Sequence, residues 1–326
     1  MTSPLLSVRD LRVEFPHRRG TLTALDGVSF DIAPGEVLGM VGESGAGKSL
    51  TGAALIGLLP TPGRMVGGEI RLRGERIDGL PPRQMRSIRG KRIGMVFQDP
   101  LTSLSPLYTV AQQLIETIRT HLPLSEAQAR QRAVALLDRV GIPAAARRID
   151  DYPHHFSGGM RQRVVIALAL CAEPELVIAD EPTTALDVSV QAQIIGLIKE
   201  ICAERGAAVL LITHDMGVIA ETADRVAVLY AGRLAEVGPV RDVILNAHHP
   251  YTRGLMGSIP SLTQDLPRLA QIPGAMPRLS AIPSGCAFNP RCAQATEHCR
   301  TQRPNLVATE AQRQVACWLT QEAPHD

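Results

Sequence analysis

A strand that breaks into a glycine-rich turn and then a helix leaves a chain few folds to choose from, and residues 36–59 have that form. Glu36-Val37-Leu38-Gly39-Met40-Val41 is a short apolar run of buried-strand type. Gly42-Glu43-Ser44-Gly45-Ala46-Gly47-Lys48-Ser49 follows and satisfies G-x-x-x-x-G-K-[ST]. Leu50 to Leu59 then reads as a helix stopped by Pro60 and Pro62. Such a turn aims several backbone N–H groups, and the positive end of the helix dipole, at one point. Gly42, Gly45 and Gly47 give the backbone its freedom and let it approach phosphates with no Cβ in the way. Lys48 supplies a compact charge for the β- and γ-phosphates, and Ser49 a hydroxyl for Mg²⁺. A turn whose lysine merely meets solvent would leave the strand, the helix and the full spacing unexplained. The stretch implies a nucleoside triphosphate.

At 326 residues the chain has room for one large domain with an appendage, or for two domains. Its 45% hydrophobic and 20% charged residues describe an ordinary globular protein. A net charge of +2 makes no electrostatic case for nucleic acid or an anionic membrane surface as the main partner. The longest apolar run, Val164 to Ala172, is too short to span a bilayer. Met1-Thr2-Ser3-Pro4 lacks the basic and apolar regions of a signal peptide. The expectation is cytoplasmic residence with reduced thiols.

Along the chain, Leu5 to Phe15 and Ala24 to Ile32 read as two antiparallel strands joined by a polar tip at Pro16 to Gly20. Phe15, one of five phenylalanines, is either strand core or an aromatic platform for an adenine ring. Gly67 to Ile77 suggests another strand pair, and Lys91 to Phe97 a strand ending in Gln98-Asp99-Pro100. Gln98 at that end is a ligand for Mg²⁺ or water, or simply a loop residue. From Val110 to Val140 the pattern turns helical, with Ser125 and Gln128 forming a capping box, and the helical insert ends near Tyr152-Pro153. Ser157 is a natural N-cap for the apolar helix running to Cys171, and Gly158 and Gly159 expose N–H groups at its start.

Leu176-Val177-Ile178-Ala179 is a continuous apolar strand that delivers Asp180 and Glu181 at its carboxyl end, where parallel sheets bind ligands. Downstream of a phosphate loop, that pair suits one carboxylate near Mg²⁺ and one activating water. Val188 to Arg205 reads as an amphipathic helix and Ala208 to Thr213 as a buried strand. His214, which follows, either contacts the γ-phosphate or caps the next helix. Val226 to Tyr230 and Arg233 to Val237 form a hairpin around Ala231-Gly232. The fold class is α/β, a doubly wound and largely parallel core with an antiparallel portion.

Taken in order, the phosphate loop, Gln98, Ser157-Gly158-Gly159, Asp180-Glu181 and His214 resemble the nucleotide-binding subunit of ATP-binding-cassette (ABC) transporters, over roughly the first four fifths of the chain. The strings Phe97-Gln98-Asp99-Pro100-Leu101-Thr102-Ser103-Leu104, Ala179 through Asp187, and His249-Pro250-Tyr251-Thr252 are similar to the oligopeptide and dipeptide importer ATPases, a branch shared with nickel importers. The resemblance implies a P-loop NTPase of ABC type: a RecA-like core with an antiparallel β subdomain and an inserted helical subdomain at about residues 100–165. The nucleotide-binding domain would span 1–255 and a C-terminal extension 256–326. It also implies roles. Residues Gly42 to Leu50, with Phe15 stacking on adenine, would hold ATP; Ser49, Gln98 and Asp180 would hold Mg²⁺. Glu181 would be the general base, with Lys48, Gln98 and His214 assisting catalysis. Ser157, Gly158 and Gly159 would be the family signature and Asp187 a dimer contact. That signature departs from the usual form at Phe156 and Met160.

The tail is proline-rich and carries Cys286, Cys292, Cys299 and Cys317, spaced C-x₅-C-x₆-C-x₁₇-C. The spacing matches neither a zinc ribbon nor a ferredoxin run and leaves zinc, iron–sulfur, disulfides or no ligand open. The resemblance implies that the four thiols hold a [4Fe–4S] cluster, with Zn²⁺ as the alternative, in a structural role. Cys171 and Cys202 read as core or helix-face residues. The expected partners are two transmembrane permease subunits, a second ABC ATPase (a paralogue or a second copy) and, through the permease, an extracytoplasmic substrate-binding protein. The expected location is the cytoplasmic face of the cell membrane. Peptides lead as cargo, with nickel, glutathione or another small solute as alternatives. A soluble ABC ATPase acting on nucleic acid, or a redox-sensing module, are the competing functions; nucleic acid is not expected as a partner.

Overall fold

The computed structural model describes residues 3–18, 20–182, 188–258, 271–310 and 312–321. The chain divides into two units. One contains Leu6–Ile32, residues 38–78 and residues 212–326; the other contains Ala33–Val37 and residues 79–211, with the first few residues.

In the first unit, the alternation that marks the N-terminal strand slips by one residue midway. Leu6 and Val8 are buried, and then Leu11 and Val13. The strand Leu6–His17 has a register break between Val8 and Leu11, with Asp10 in a left-handed conformation (φ 48°). That bulge returns the apolar side chains to the inner face. Gly68 on the neighbouring strand makes the bulge possible, since a Cβ there would lie 2.4 Å from the Arg9 carbonyl. The sheet runs Gly20–Ile32, Leu6–His17, Arg64–Leu72, Glu75–Arg76, antiparallel throughout; the sequence predicts that pairing for the first two strands and a further strand pair for the region of the last two.

A second sheet in this unit starts at the strand Val37–Val41, whose residues Leu38–Val41 pair in parallel with the start of Arg225–Tyr230. The predicted hairpin follows as Arg225–Tyr230 and Arg233–Pro239. Two further antiparallel strands, Arg313–Val315 and Val307–Glu310, extend it and are not among the predicted elements. They are too short to show a period and lie in the proline-rich tail. The helix after the phosphate loop runs Lys48–Leu55 rather than 50–59. Gly57 (φ 63°) ends it before the prolines do: its N–H bonds Ala54 O, and Leu58 N–H bonds Ala53 O.

In the second unit, the strands Ala208–Ile212, Leu176–Asp180 and Ile93–Val96 are neighbours in that order, the last two parallel. Every residue of Leu176–Asp180 is buried, as a continuous apolar run predicts for a parallel strand. Beside them the helices Val110–His121, Glu126–Arg139 and Gly158–Leu170 pack on one another. Ser125 and Gln128 form the expected capping box, and Thr109 with Gln112 forms another that the sequence reading missed.

The unpredicted strand Arg313–Val315 is joined to the sheet by charge as well as backbone. Arg313 Nε and Nη2 donate to Glu236 Oε1 at 3.2 and 2.6 Å, and the two side chains are 2% and 0% exposed. Glu236 also accepts from the backbone of His248 and His249, both at 3.0 Å. Removing one partner of such a pair leaves an uncompensated buried charge. Arg313→Met is therefore expected to lower the free energy of unfolding by about 3–5 kcal/mol, read from urea denaturation of the purified chain.

Candidate functional site

The phosphate loop is shaped by what lies beneath it. Gly42 (φ 155°) passes so close to the next strand that a Cβ would fall 2.2 Å from Leu229 O. At Gly47 (φ 107°) a Cβ would meet Leu25 Cδ2 at 2.7 Å. Gly47 is also the N-cap of Lys48–Leu55 and gives the helix start no side-chain acceptor, so a positive helix end faces the loop. Lys48 is buried, with Nζ donating to Gly42 O at 2.8 Å and Glu43 O at 3.2 Å. Ser44 and Ser49 are exposed, and Ala46 is buried. Ala46 O accepts from Gly232 N–H at 2.8 Å, which ties the loop to the hairpin turn.

Phe15 is half-buried, its ring against Gly63, where a Cβ would fall 2.6 Å from it. It is therefore outside the strand core. His214 is exposed, and its preceding residue is tied to the strand entering the loop by Thr213 N–H to Met40 O at 3.2 Å. The cap of the next helix is Asp215, which accepts from Gly217 N–H at 2.8 Å and Val218 N–H at 3.3 Å. His214 does not fill the capping role.

The second unit holds Gln98, Ser157, Gly158, Gly159, Asp180 and Glu181. Asp180 is 5% exposed at the end of its strand. Glu181 has a left-handed backbone (φ 44°), a conformation that costs a non-glycine residue about 1–3 kcal/mol and clusters at active sites. Gln98 Nε2 donates to Glu181 Oε2 at 3.0 Å, bringing two of the expected residues into direct contact. Ser157 caps Gly158–Leu170 by accepting from Met160 N–H at 3.4 Å, and it is exposed with Gly158. The two departures in the signature share a neighbour: the Arg148 guanidinium lies 4.6 Å from the Phe156 ring centroid and 3.5 Å from Met160 Sδ. Asp187 lies outside the described residues.

In the tail, Cys286, Cys292, Cys299 and Cys317 line one small cavity, of about 20 Å³, with Phe288 and Trp318. All are free thiols. Burial pushes the Cys286 and Cys292 thiols up and that of Cys317 to about 11, the other thiols adding to the shift. Among the described residues no group of three or more His, Cys, Asp or Glu is disposed to hold a metal ion. Two residues missed by sequence reasoning reach the phosphate loop from this end of the chain. Tyr251 Oη accepts from Glu43 N–H, and Arg291 pairs with the Glu43 carboxylate. With more than 200 residues between partners, no local pattern could have signalled either contact.

A phosphate loop on a parallel strand, an antiparallel sheet, an inserted helical group and a strand ending in Asp-Glu define an ATP-hydrolysing cassette. Residues 25–184 match the family model described as ABC transporter, and residues 235–299 that of the oligopeptide/dipeptide transporter C-terminal region. The chain is 48% identical over 308 residues to a putative peptide import ATP-binding protein of Brucella abortus, covering 94% of this chain and 93% of that one. It is 48% identical to the oligopeptide transport ATP-binding protein OppD of Salmonella typhimurium (96% and 93% covered). Against the dipeptide transport protein DppD of Bacillus subtilis it is 46% identical (98% and 96%). Among solved structures, the dimeric ATP-binding cassette MJ0796 with ADP and Pi is similar at a TM-score of 0.66 and 28% identity, covering 72% of this chain and 99% of that one. The chain belongs to the ATP-binding subunits of the oligopeptide/dipeptide ABC transporter family. No helix among the described residues is long and apolar enough to cross a membrane.

The two remaining cysteines behave as the sequence suggests. Burial pushes both Cys171 and Cys202 up to about 12. A raised thiol pKa means a neutral, unreactive group below it. Alkylation of the native chain at pH 8 is expected to leave both unmodified, and peptide mass spectrometry after the pulse reads the outcome; modification of either would contradict its burial.

Proposed function

We propose that this chain energises peptide uptake as the ATPase of a membrane importer. The match of residues 235–299 to the oligopeptide/dipeptide C-terminal model carries the choice of cargo. Relatives with peptide-import names across nearly the whole chain support it. In this reading two permease subunits and a second cassette assemble with the chain at the cytoplasmic face of the membrane, and a binding protein delivers peptide from the other side. The nucleotide-binding domain spans 1–255 and the extension 256–326.

Residues 42–50 cradle the triphosphate, Phe15 stacks on adenine, and Lys48 balances phosphate charge. Ser49, Gln98 and Asp180 would hold Mg²⁺ through a hydroxyl, an amide oxygen and a carboxylate, oxygen donors of the kind the ion takes, and the ion would supply charge neutralisation at the phosphates. Glu181 accepts the proton of the attacking water, oriented by Gln98, and His214 addresses the γ-phosphate. Ser157, Gly158 and Gly159 present their helix start to the nucleotide of the opposing cassette, with Asp187 at that interface. The γ-phosphate then holds two cassettes together until hydrolysis releases them.

The four tail cysteines fit a [4Fe–4S] cluster by donor set, four thiols around one cavity in a segment with little apolar core of its own. Such a cluster would act as a staple.

Glu181→Gln is expected to keep ATP binding while losing about 10²- to 10⁴-fold in turnover. Its transporter complex should not support uptake of labelled di- or oligopeptides; uptake of nickel in place of peptides by the intact complex would overturn the cargo. Anaerobically purified protein is expected to contain iron and acid-labile sulfide in equal amounts, lost in Cys292→Ser. Stoichiometric zinc would reverse the cluster assignment.

A further inference from the structure

Glu43 is the second residue of the phosphate loop, and the C-terminal part of the chain holds it at two points. Arg291 Nη1 donates to Oε2 at 2.9 Å and Nη2 to Oε1 at 3.0 Å, a paired fork on one carboxylate. The Glu43 N–H donates to Tyr251 Oη at 2.8 Å. Neither partner is a loose surface group. The Arg291 side chain is 7% exposed and Tyr251 is fully buried, unlike the exposed ion pairs whose worth is small. Arg291 Nε donates to Pro273 O at 2.8 Å, and the guanidinium lies 5.8 and 5.9 Å from the ring centroids of Tyr230 and Phe288. Those rings and Tyr251 contact one another.

Arg291 is also part of the cysteine segment, between Phe288 and Cys292. That segment is folded on itself by Asn289, whose Nδ2 donates to Ser284 O at 3.0 Å and Cys286 O at 2.8 Å. The guanidinium therefore goes where residues 286–292 put it. At the other end of the contact, the Gly42 and Glu43 carbonyls that receive Lys48 belong to the stretch being held. An unpaired carboxylate in a loop that receives a triphosphate repels it; a paired one does not.

We propose that Arg291 is a positioning residue of the nucleotide site, through which the four-cysteine segment fixes the phosphate loop and neutralises Glu43, so that loosening the segment weakens ATP binding. The proposal rests on Gly42–Ser49 being the nucleotide loop and is independent of what the cysteines hold. It makes the extension a determinant of nucleotide affinity.

The test titrates the purified full-length chain with a non-hydrolysable ATP analogue and assays ATPase activity in the assembled transporter complex. Arg291→Ala is expected to raise the Kd and the KM for ATP about ten-fold, with kcat changed by less than about two-fold. Arg291→Lys, which keeps the charge but not the fork, should fall between it and the unsubstituted chain. Adding Glu43→Gln to Arg291→Ala should bring Kd back to that of Glu43→Gln alone. Asn289→Ala should raise Kd in the otherwise unaltered chain and add nothing to Arg291→Ala. A lowered Tm with Kd unchanged in Arg291→Ala would mean a purely structural contact and overturn the proposal, as would strict additivity with Glu43→Gln. If Arg291→Ala fails to fold, Arg291→Gln replaces it with the same expected result. Failure of the unsubstituted chain to bind the analogue would instead refute the nucleotide loop itself.

Discussion

The close approach of the phosphate loop to the strand beside it is the constraint on which the rest of the structure depends. With less than 3 Å available for a Cβ at Gly42 and Gly47, the loop has one path across the strand end. That path places Gly47 at the start of a helix and turns the buried Lys48 back over its own carbonyls. Each neighbour is in turn held. Leu229 belongs to the strand paired in parallel with the one that enters the loop, and Gly232, in the hairpin turn, donates to Ala46 O. The anion site is therefore a property of the carboxyl end of an interior strand and of the strand paired with it. Preorganisation of this kind spares the binding step the cost of ordering the backbone.

The C-terminal region shares in that framework. Its strand Arg313–Val315 brings a buried guanidinium to Glu236, and Glu236 organises the backbone of His248 and His249. His249 caps the helix Pro250–Gly257 with its Nδ1, accepting from Tyr251 N–H at 3.0 Å. Burial holds that imidazole down, to about 4, which keeps Nδ1 available as an acceptor at neutral pH. The chain of contacts then runs from Tyr251 to Glu43 in the phosphate loop. A segment that looks dispensable by composition is connected to the nucleotide site through groups that cannot be removed singly without stranding a buried partner.

What the sequence made legible follows from range. The strand, loop and helix at residues 36–59, the Ser125 cap, the buried run before Asp180 and the hairpin around Gly232 are all set by residues near one another in the chain, and each is found. The helix end at Leu55 was misplaced because Gly57, a left-handed cap, acts before the prolines that looked decisive. The bulge at Asp10 broke an alternation that a strict period of two would have continued. The strands at Val307–Glu310 and Arg313–Val315, and the hold of Arg291 and Tyr251 on Glu43, depend on pairing across long separations and leave no local trace. At the site, the order of motifs exposed Gln98 and Glu181 as candidates, but not that one amide would donate to the other's carboxylate or that Glu181 would stand in a left-handed conformation.

The two glutamates illustrate how one residue type is put to opposite uses. Glu43 receives a guanidinium fork, so its charge is cancelled and its oxygens are occupied. A carboxylate treated this way is an anchor. Glu181 receives a neutral amide on Oε2, and its backbone is held in a conformation that an unsupported glutamate would leave. A neutral amide orients a carboxylate and, unlike a guanidinium, brings no charge of its own. The donor from Gln98 is neutral and the one beside Glu43 cationic, so the two contacts differ in charge as well as in place.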